Sequence, residues 1–474
     1  MWQMLLDKIK GVLARMLQTG QMESAIGASM AVSRQMQQSI DLWVAMLQGD
    51  APWLDDNTES LGLPAAIAGE LARLVLVEFE LEVAGENPRA RFLAGEYAAF
   101  APRLRPALEY GLGCGGLAFK PYVDGGRIVV DCVPAWRFYP TAANSRGEIT
   151  GAVFIEQVQI GKRWYTRLEQ HRLNDTGYRV SNAAYRSFSE HELGSPVGLD
   201  AVDEWAGLEP EAEIRYKDGR APEKPLFALF RVPFANAIDP ASPLGVSVYS
   251  RAVGLIAQAD KQYSRILWEY EGSELAVDVS QEALRVENGK FATPERRQRL
   301  FRGLSLEGSS GSDLYQVFSP TIRDGSLFNG LDKLLKRIEF NCCLSYGTLS
   351  DPNNVDKTAE EIRSSKQRSY AAVRELQEAL RAALEHLLWV MDLYTSLYSL
   401  APVGEWEVAF RWGDGVLEDV EGEFARRKQL ADAGYLKPEK LVAWYLGISE
   451  EEALAEYIPA AGVPEPSLFG AAGE

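Results

Sequence analysis

The architecture is determined by residues 243–270, PLGVSVYSRAVGLIAQADKQYSRILWEY, and by the residues that continue this stretch to Tyr398. Within 243–270, apolar residues recur at intervals of three and four, the spacing that places them on one face of a helix. They are Tyr249, Ala252, Ile256, Ala259, Tyr263, Ile266 and Tyr270. The preceding run from Asn236 to Gly245 contains two prolines and cannot itself be helical. We therefore predict a long helix from about residue 245 to 272, with Asp260 on one of its other faces.

Two further helices and a polar loop complete this stretch. The first of these two helices has an apolar stripe, which consists of Leu327, Leu331, Leu334, Ile338 and Leu344. It should end near Gly347, because glycine favours the conformation that terminates helices. Turn-forming residues dominate 348–357. Thr358 and Glu361 then form a capping-box pattern. The longest helix begins there, and its stripe is Ile362, Tyr370, Val373, Leu376, Leu380, Ala383, Leu387, Val390 and Tyr394.

Between the helix at 245–272 and the helix that ends near Gly347, the spacing of apolar residues changes from that of a helix to the alternation of a strand. Leu275–Ser280 and Leu314–Ser319 are predicted strands. A short basic helix is predicted from Pro294 to Arg302, and its cations are Arg296, Arg297, Arg299 and Arg302. Residues 273–325 thus form a small α/β module on a helical stalk. The four arginines suit an acidic partner or a phosphate, and a plain solvated helix face explains them equally well.

The first 242 residues divide into helices followed by strands. Helices are predicted at 1–20, 32–48, 63–83 and 88–111. Strands 117–123 and 127–133 flank Asp124-Gly125-Gly126, a hairpin signal because glycine permits positive φ. Strands 152–160, 163–173 and 178–184 continue an antiparallel meander, and a shorter strand covers 225–232. After Pro402 we predict a strand at 406–412, helices at 417–433 and 438–447, a last helix capped by Ser449 and Glu452, and a disordered tail. The fold class is therefore α+β.

Composition excludes several classes of protein. The chain has 474 residues and a net charge of −18, so it lacks the basic footprint of a tight nucleic-acid binder. Four cysteines do not make a disulfide framework, and we expect Cys342 and Cys343 to be small buried residues. No secretory signal pattern opens the sequence, and no apolar run is long enough to cross a bilayer. We therefore expect a soluble protein made inside the cell.

No motif for catalysis, a cofactor or a metal stands out. Gly111-x-Gly113-x-Gly115-Gly116 follows a predicted helix and precedes a strand, the reverse of a dinucleotide-binding context. No P-loop sequence occurs. The acidic residues Asp414, Glu418, Asp419, Glu421 and Glu423 lack the spacing of an EF-hand, so a solvated helix start is favoured over a cation site. We predict no enzyme activity, no catalytic or metal-ligating residue and no cofactor.

The order of these parts resembles the portal proteins of tailed bacteriophages and prophages, in particular those of siphophages of Gram-positive hosts. The resemblance covers nearly the whole chain. It is carried by the segments 115–125 (GGLAFKPYVDG), 133–140 (VPAWRFYP), 164–171 (WYTRLEQH), 230–236 (FRVPFAN), 242–247 (SPLGVS) and 424–434 (FARRKQLADAG), together with the helix–insert–helix–loop–helix core.

The resemblance implies a division of the chain into the parts of a portal subunit. Residues 1–242 would be the wing, 243–272 and 326–347 the two stem helices, and 273–325 the clip. Residues 358–400 would be the spine helix and 401–474 a short C-terminal wing or crown region. Between stem and spine would lie a tunnel loop that faces DNA, formed by Thr348, Leu349, Ser350, Asp351, Pro352, Asn353, Asn354, Val355, Asp356 and Lys357. The clip arginines Arg296, Arg297, Arg299 and Arg302 would face the packaging terminase and the connector.

The resemblance also implies partners and a location. Portal subunits form a closed ring, usually of twelve copies, at one vertex of the capsid. Double-stranded DNA passes through the ring without sequence-specific contacts. The partners would be the terminase large subunit, the head–tail adaptor, and the major capsid and scaffolding proteins, with no membrane partner. The protein would belong to the virion and would occupy the host cytoplasm during assembly. Two alternatives stay open: a head-assembly or DNA-processing enzyme with an unrecognised carboxylate site, and a minor capsid component that forms no channel.

Overall fold

The structure is a computed structural model that describes residues 20–174, 177–280, 285–287, 290–292, 301–304, 315–351, 359–413, 420–446 and 448–456. The predictions for residues 1–19, Pro352–Thr358 and the tail from Ile458 lie outside these ranges. The chain divides into two compact units, Met1–Trp412 and Gly413–Glu474. The protein is of the α+β class, as the sequence predicts.

Ten named helices belong to the described residues. They are α1 (Arg34–Leu47), α2 (Leu63–Val75), α3 (Pro88–Phe100), α4 (Leu104–Cys114), α5 (Val253–Gly272), α6 (Asp324–Asn341), α7 (Ala359–Leu397), α8 (Val420–Asp432), α9 (Pro438–Leu446) and α10 (Glu450–Glu456). Short polar side chains cap several of them. Ser33 accepts from the Met36 amide before α1, and Asn87 accepts from the Ala90 amide before α3. Ser449 accepts from the Glu452 amide and caps α10, which confirms the predicted role of Ser449.

The strands are mostly short. They are β1 (Glu80–Ala84), β2 (Gly116–Asp124), β3 (Arg127–Pro134), β4 (Phe138–Ala143), β5 (Ile149–Ile160), β6 (Arg163–Asn174), β7 (Gly177–Ser187), β8 (Ser195–Val197), β9 (Glu211–Ile214), β10 (Ala228–Arg231), β11 (Ala276–Ser280), β12 (Arg285–Glu287), β13 (Lys290–Ala292), β14 (Phe301–Leu304), β15 (Tyr315–Phe318) and β16 (Glu407–Arg411).

Antiparallel pairing dominates the sheets. The largest sheet has the order β4-β5-β6-β7-β8, and β9 pairs with a different stretch of β7. This is the meander that the sequence predicts. A second sheet has the order β10-β2-β3, and β1 pairs with β16 in a two-stranded ribbon. The β2–β3 hairpin turns at Gly125 and Gly126, which both have positive φ, as a two-residue hairpin loop requires.

The main core lies between the helices and the β10-β2-β3 sheet. Trp43, Phe119, Phe230 and Tyr249 are among its largest fully buried aromatic side chains. The α7 helix packs against β2, β10 and α2, and most of its predicted stripe is buried there. At 39 residues it is about 58 Å long. The α7 helix therefore contributes a long buried face to the main core.

Three element predictions within the first 272 residues were wrong. Residues 63–83 are not one helix: α2 ends at Val75, and Phe79, Leu81 and Val83 alternate with glutamates in strand β1. The predicted helix 88–111 is interrupted at residues 101–103, because Pro102 cannot donate the hydrogen bond that a continuous helix needs. The predicted long helix from 245 begins only at Val253, after a short 3₁₀ turn at 250–252.

Asp260 also differs from its prediction. It was expected on a face of α5 away from the core, but it is buried, with 1% of its surface exposed. Its two carboxylate oxygens accept hydrogen bonds from the indole N–H of Trp53 at 2.8 Å and from the Leu61 amide at 2.9 Å. Asp260 therefore holds the segment before α2 against α5.

The second unit contains α8, α9 and α10. Phe424 of α8 packs on Tyr445 of α9 with a ring-centroid distance of 4.8 Å. The guanidinium of Arg427 lies 4.3 Å from the ring centroid of Trp444. Gly434 has positive φ just after α8 ends, and Pro438 begins α9, as predicted. The side chains of the acidic cluster at 414–423 lie outside the described residues.

Candidate functional site

The α5 and α6 helices form an antiparallel pair. Gln262 of α5 donates its amide to the Leu327 carbonyl of α6 at 3.2 Å, while Glu269, further along α5, contacts Arg323 at the start of α6. Residue numbers therefore rise along one helix as they fall along the other. These are the two helices that the resemblance assigns to the stem, and the strands β11–β15 are inserted between them in the chain.

A two-pronged ion pair joins the helices where the insert begins and ends. The Nε and Nη2 atoms of Arg323 lie 3.0 Å and 2.7 Å from the two carboxylate oxygens of Glu269. Hydrogen bonding from Arg323 lowers the pKa of Glu269. Arginine and carboxylate match in this paired geometry, so the contact fixes orientation as well as charge. The two chain ends of the insert are thereby held side by side.

The insert contains a three-stranded sheet and a hairpin. The sheet order is β14-β11-β15, with β14 parallel and β15 antiparallel to β11. The predicted basic helix 294–302 is wrong at its end, because Phe301 and Arg302 belong to strand β14 and Arg302 lies in register with Asp278. Arg296, Arg297 and Arg299 lie outside the described residues.

The C-terminal end of α6 differs from the prediction that Gly347 caps it. The helix ends at Asn341, and Cys343 takes the left-handed conformation with φ of 58°. The Leu344 amide donates to the Glu339 carbonyl at 2.9 Å, and the Cys343 amide donates to the Phe340 carbonyl at 3.4 Å. This is a Schellman motif with cysteine where glycine is the common residue. Cys342 is fully buried, as expected, but it follows the helix instead of lying within it.

The first part of the predicted tunnel loop is anchored to α6 by Glu339, whose surface is fully buried. One carboxylate oxygen accepts from the amides of Gly347 at 3.1 Å, Leu349 at 2.6 Å and Ser350 at 2.9 Å. The other accepts from the Ser350 hydroxyl at 2.9 Å. A buried carboxylate is tolerated only when it is hydrogen-bonded in this way. Glu339 therefore sets the position from which the loop departs.

The described loop residues have unequal access to solvent. Ser350 is buried, and Leu349 packs partly against the main core, so neither side chain projects freely. Thr348 and Asp351 are exposed. The Thr348 hydroxyl donates to the Ser345 carbonyl at 2.7 Å, and the Asp351 amide donates to the Asp332 carboxylate at 3.1 Å. The residues of the loop from Pro352 to Lys357 lie outside the described ranges.

Large apolar side chains are exposed along the helix pair. Trp268, Tyr270, Phe328 and Phe340 keep between 41% and 68% of their surface in solvent. The guanidinium of Arg368 on α7 lies 4.4 Å from the Phe340 ring centroid. These side chains lie at separate positions along the two helices, and each is a candidate for a contact with another protein chain.

A second candidate site is a buried charged cluster in the sheets. Lys120 of β2 lies 2.6 Å from the Glu169 carboxylate of β6. The other oxygen of that carboxylate lies 2.8 Å from Nε2 of His171, and Nδ1 of His171 lies 2.7 Å from the Tyr178 hydroxyl. Tyr178 in turn accepts from the Leu226 amide at 3.0 Å. The cluster therefore links the meander to the β10-β2-β3 sheet.

The protonation states of this cluster follow from burial and pairing. Burial lowers the pKa of His171 and outweighs the opposing influence of Glu169, so the ring is neutral at pH 7. Burial alone would raise the pKa of Glu169, but Lys120, His171 and Arg167 hold that pKa well below its usual range. A neutral ring that donates from Nε2 to Glu169 accepts at Nδ1 from Tyr178. Both ring nitrogens are thus engaged, which favours a structural over a catalytic use of the histidine.

Sequence reasoning missed Glu339, the Glu269–Arg323 pair and the buried cluster. For the cluster a signal existed, because Arg167, Glu169 and His171 alternate along one predicted strand and must share a face. For Glu339 there was none, since its donors come from a loop whose path the sequence does not specify.

The described residues contain no group of three or more histidine, cysteine, aspartate or glutamate side chains arranged to hold a metal ion. None of the helices in the described part of the chain combines the length and the apolar character that a bilayer crossing needs. No protein-family model matches the sequence, and no curated protein matches it either.

Proposed function

We propose that the chain is the subunit of a portal ring, the channel at one capsid vertex through which double-stranded DNA is packaged and ejected. The observation that carries the proposal is the helix pair α5/α6. It holds a β module at one end and a loop anchored through Glu339 at the other, and α7 follows that loop. The 18 residues of α6 span about 27 Å between module and loop. A long helix pair that holds a β module at one end and a loop at the other is better suited to form the wall of a channel than to line a catalytic pocket.

The net negative charge of the chain supports a channel through which DNA passes rather than a site that binds DNA. A net charge of −18 on every subunit of a ring repels phosphates and keeps contacts with DNA weak. DNA of any sequence can move through a pore only if its contacts with the wall are weak. In the loop, Asp351 is exposed and would repel phosphate, whereas Lys357 carries the opposite charge.

The exposed apolar side chains of the helix pair support assembly with copies of the same chain. In a closed ring each subunit presents one surface to the neighbour on its left and a different one to the neighbour on its right. Trp268 and Phe328 would be covered in such contacts. The ring would dock the terminase large subunit and the head–tail adaptor through the β11–β15 module. It would contact the major capsid and scaffolding proteins through the rest of the chain, within the virion.

The first test is negative-stain electron microscopy of the purified chain together with native mass spectrometry. Rings with a central hole wide enough for duplex DNA, and a mass that is a multiple of the subunit, are expected. Monomers at every concentration, in the presence of scaffolding and capsid proteins as well, would refute the portal proposal.

A second test separates a channel from a capsid component that only binds partners. Residues 352–357 are replaced by a glycine–serine segment of equal length, which spares Ser350 and its contacts with Glu339. The portal proposal predicts assembled particles that package or retain less DNA. Normal DNA content would favour the non-channel alternative.

The enzyme alternative has its own test, since a head-assembly nuclease or ATPase should act with Mg²⁺ or Mn²⁺. The proposal expects no such activity from the pure chain. Activity that disappears when one carboxylate is substituted would favour the enzyme.

A further inference from the structure

A groove of about 850 Å³, lined mostly by apolar residues and also by Glu80, Glu82 and Arg105, lies between strand β1 and the helices α3 and α4. One wall is formed by Phe79, Leu81 and Val83, and the other by Tyr97, Ala98 and Leu104. The groove lies far along the chain from the helix pair α5/α6, and the portal proposal makes no use of it.

The groove runs along the edge of β1. Side chains of a strand alternate between its two faces, so a groove over one face would be lined by every second residue. Here the four consecutive residues Glu80, Leu81, Glu82 and Val83 all line it. No residue of β16 does, although β16 is the strand with which β1 pairs. The groove therefore follows the side of β1 that faces away from β16.

That side of β1 is unpaired among the described residues, because the ribbon has only two strands there. A strand that is paired on one side presents a row of backbone N–H and C=O groups on the other. An extended peptide satisfies such a row by adding a strand, and adjacent pockets then select its alternate side chains. A helix in the groove would leave these backbone groups without partners.

Charge specifies the peptide further. Glu80 is opposite Arg411 in the ribbon and lies 2.9 Å from it. Glu82 is opposite Ala409, which carries no charge. A strand added on the free side would place its own residues beside Glu80 and Glu82, and opposite charges across strands stabilise the pairing. Basic residues are thus favoured there, most of all beside Glu82 because Arg411 already pairs with Glu80, in alternation with apolar residues beside Leu81 and Val83. Arg105 also lines the groove, but it belongs to the opposite wall and lies 3.6 Å from the Glu109 carboxylate.

We propose that this groove binds an extended strand of a partner protein in which apolar and basic residues alternate. The apolar side chains would enter the groove, and the backbone would pair with β1. The proposal does not depend on the portal function and would hold for the chain in any role.

The test measures binding of a fluorescently labelled synthetic peptide of alternating valine and lysine to the full chain by polarisation. Ala98→Trp places a large side chain in the groove from an exposed helical position, so folding should be preserved. Ala99→Trp is the matched control, because Ala99 is the next exposed residue of α3 and does not line the groove. We expect Ala98→Trp to weaken binding about tenfold or more and Ala99→Trp to leave it unchanged.

Charge reversal supplies a second pair of variants. Glu82→Lys should weaken binding about fivefold, since it replaces an attractive cross-strand pair with a repulsive one. Glu407→Lys changes the net charge equally, but it lies on β16 and away from the groove, so binding should persist. A peptide with proline in place of each valine should not bind, because proline cannot donate to a strand ladder.

Three results would overturn the proposal. One is absence of binding by the parent chain, and another is an equal effect of the two tryptophan variants. The third is loss of peptide binding as the chain oligomerises, which would identify a second copy as the occupant of the groove.

Discussion

The carboxylate of Glu339 accepts hydrogen bonds from both the backbone amide and the hydroxyl of Ser350, each at 2.9 Å. A single buried side chain of α6 thereby accepts hydrogen bonds from loop groups that have no partner in a helix or a strand. The anchor explains how a segment rich in turn residues can leave a helix in a defined direction. Substitution of Glu339 should therefore disturb the conformation of the whole loop.

Glu339→Gln should lower the free energy of unfolding by about 3 kcal/mol. The amide group keeps the shape of the carboxylate but loses its charge and one acceptor, and hydrogen bonds to charged groups contribute about 1.5–3 kcal/mol each. Urea unfolding measures the change. Glu378→Gln is the control, because Glu378 is exposed on α7 and should change stability by less than about 0.5 kcal/mol. Equal effects of the two substitutions would show that Glu339 is not an anchor.

Cys343→Gly should stabilise the protein by about 0.5–1 kcal/mol. Cys343 has φ of 58°, a conformation that costs residues with a Cβ about 1 kcal/mol and costs glycine little. The neighbouring Cys342→Gly should be destabilising, because Cys342 is fully buried and follows α6 with φ of −93°. Thermal or urea unfolding of both variants compares the two positions. A loss of stability in Cys343→Gly would mean that packing of the Cys343 side chain outweighs its backbone strain.

The helix–insert–helix–loop–helix order could be predicted because each helix has a long apolar stripe, and most residues of those stripes pack inward; Tyr270, at the end of α5, does not. Strand β1 could not be recognised with the same ease. Its alternation of Phe79, Leu81 and Val83 with glutamates covers only a few residues, and its partner Glu407–Arg411 lies at the other end of the first unit. A pairing between such distant segments leaves no local signal.

Buried polar residues were the second source of error. Asp260 and Glu339 occupy positions that resemble a solvated helix face when the helix is considered alone. They are buried because loop amides and an indole from other parts of the chain reach them. The stripe of a helix predicts which apolar residues pack inward, but not which carboxylates a neighbouring loop will cover.

Gly115→Ala should be far more damaging than Gly126→Ala. Both glycines have positive φ, so alanine costs about 1 kcal/mol in backbone strain at either position. At Gly126 an added Cβ would meet open space, whereas at Gly115 it would overlap the Gly245 carbonyl. We expect Gly115→Ala to cost more than about 3 kcal/mol in unfolding free energy or to prevent folding. Equal costs would mean that the contact between residues 115 and 245 relaxes freely.

Trp268→Ser should shift the purified chain from rings toward monomers if the portal proposal holds. Trp268 is 68% exposed on α5, and burial of such a side chain between subunits contributes about 2 kcal/mol per interface. Native mass spectrometry across a range of concentrations measures the distribution. Tyr435→Ser is the control, since Tyr435 is also exposed but belongs to the second unit. An unchanged ring population in the Trp268 variant would exclude this side chain from the contact between subunits.

The buried His171 and the half-buried His386 should make stability fall as the solution is acidified below about pH 6.5. Burial lowers the pKa of His171 and of His386 below the ordinary value of 6.5. Between the folded-state pKa and 6.5, the unfolded chain binds a proton at each site and the folded chain does not. Stability therefore rises with pH in this window, by up to about 1.4 kcal/mol per pH unit for each histidine, and is fully present above it.

Substitution of His386 isolates one of these contributions. Nε2 of His386 donates to the Pro225 carbonyl at 2.8 Å, and glutamine can keep a donor there without titrating in this range. We expect the dependence of unfolding free energy on pH, measured with urea between about pH 7 and about pH 5, to be shallower in His386→Gln than in the parent. Carboxylates that titrate at lower pH are common to both proteins and cancel in the difference. Identical slopes would show that His386 takes up its proton in the folded state as readily as in the unfolded chain, and burial would then not control its charge.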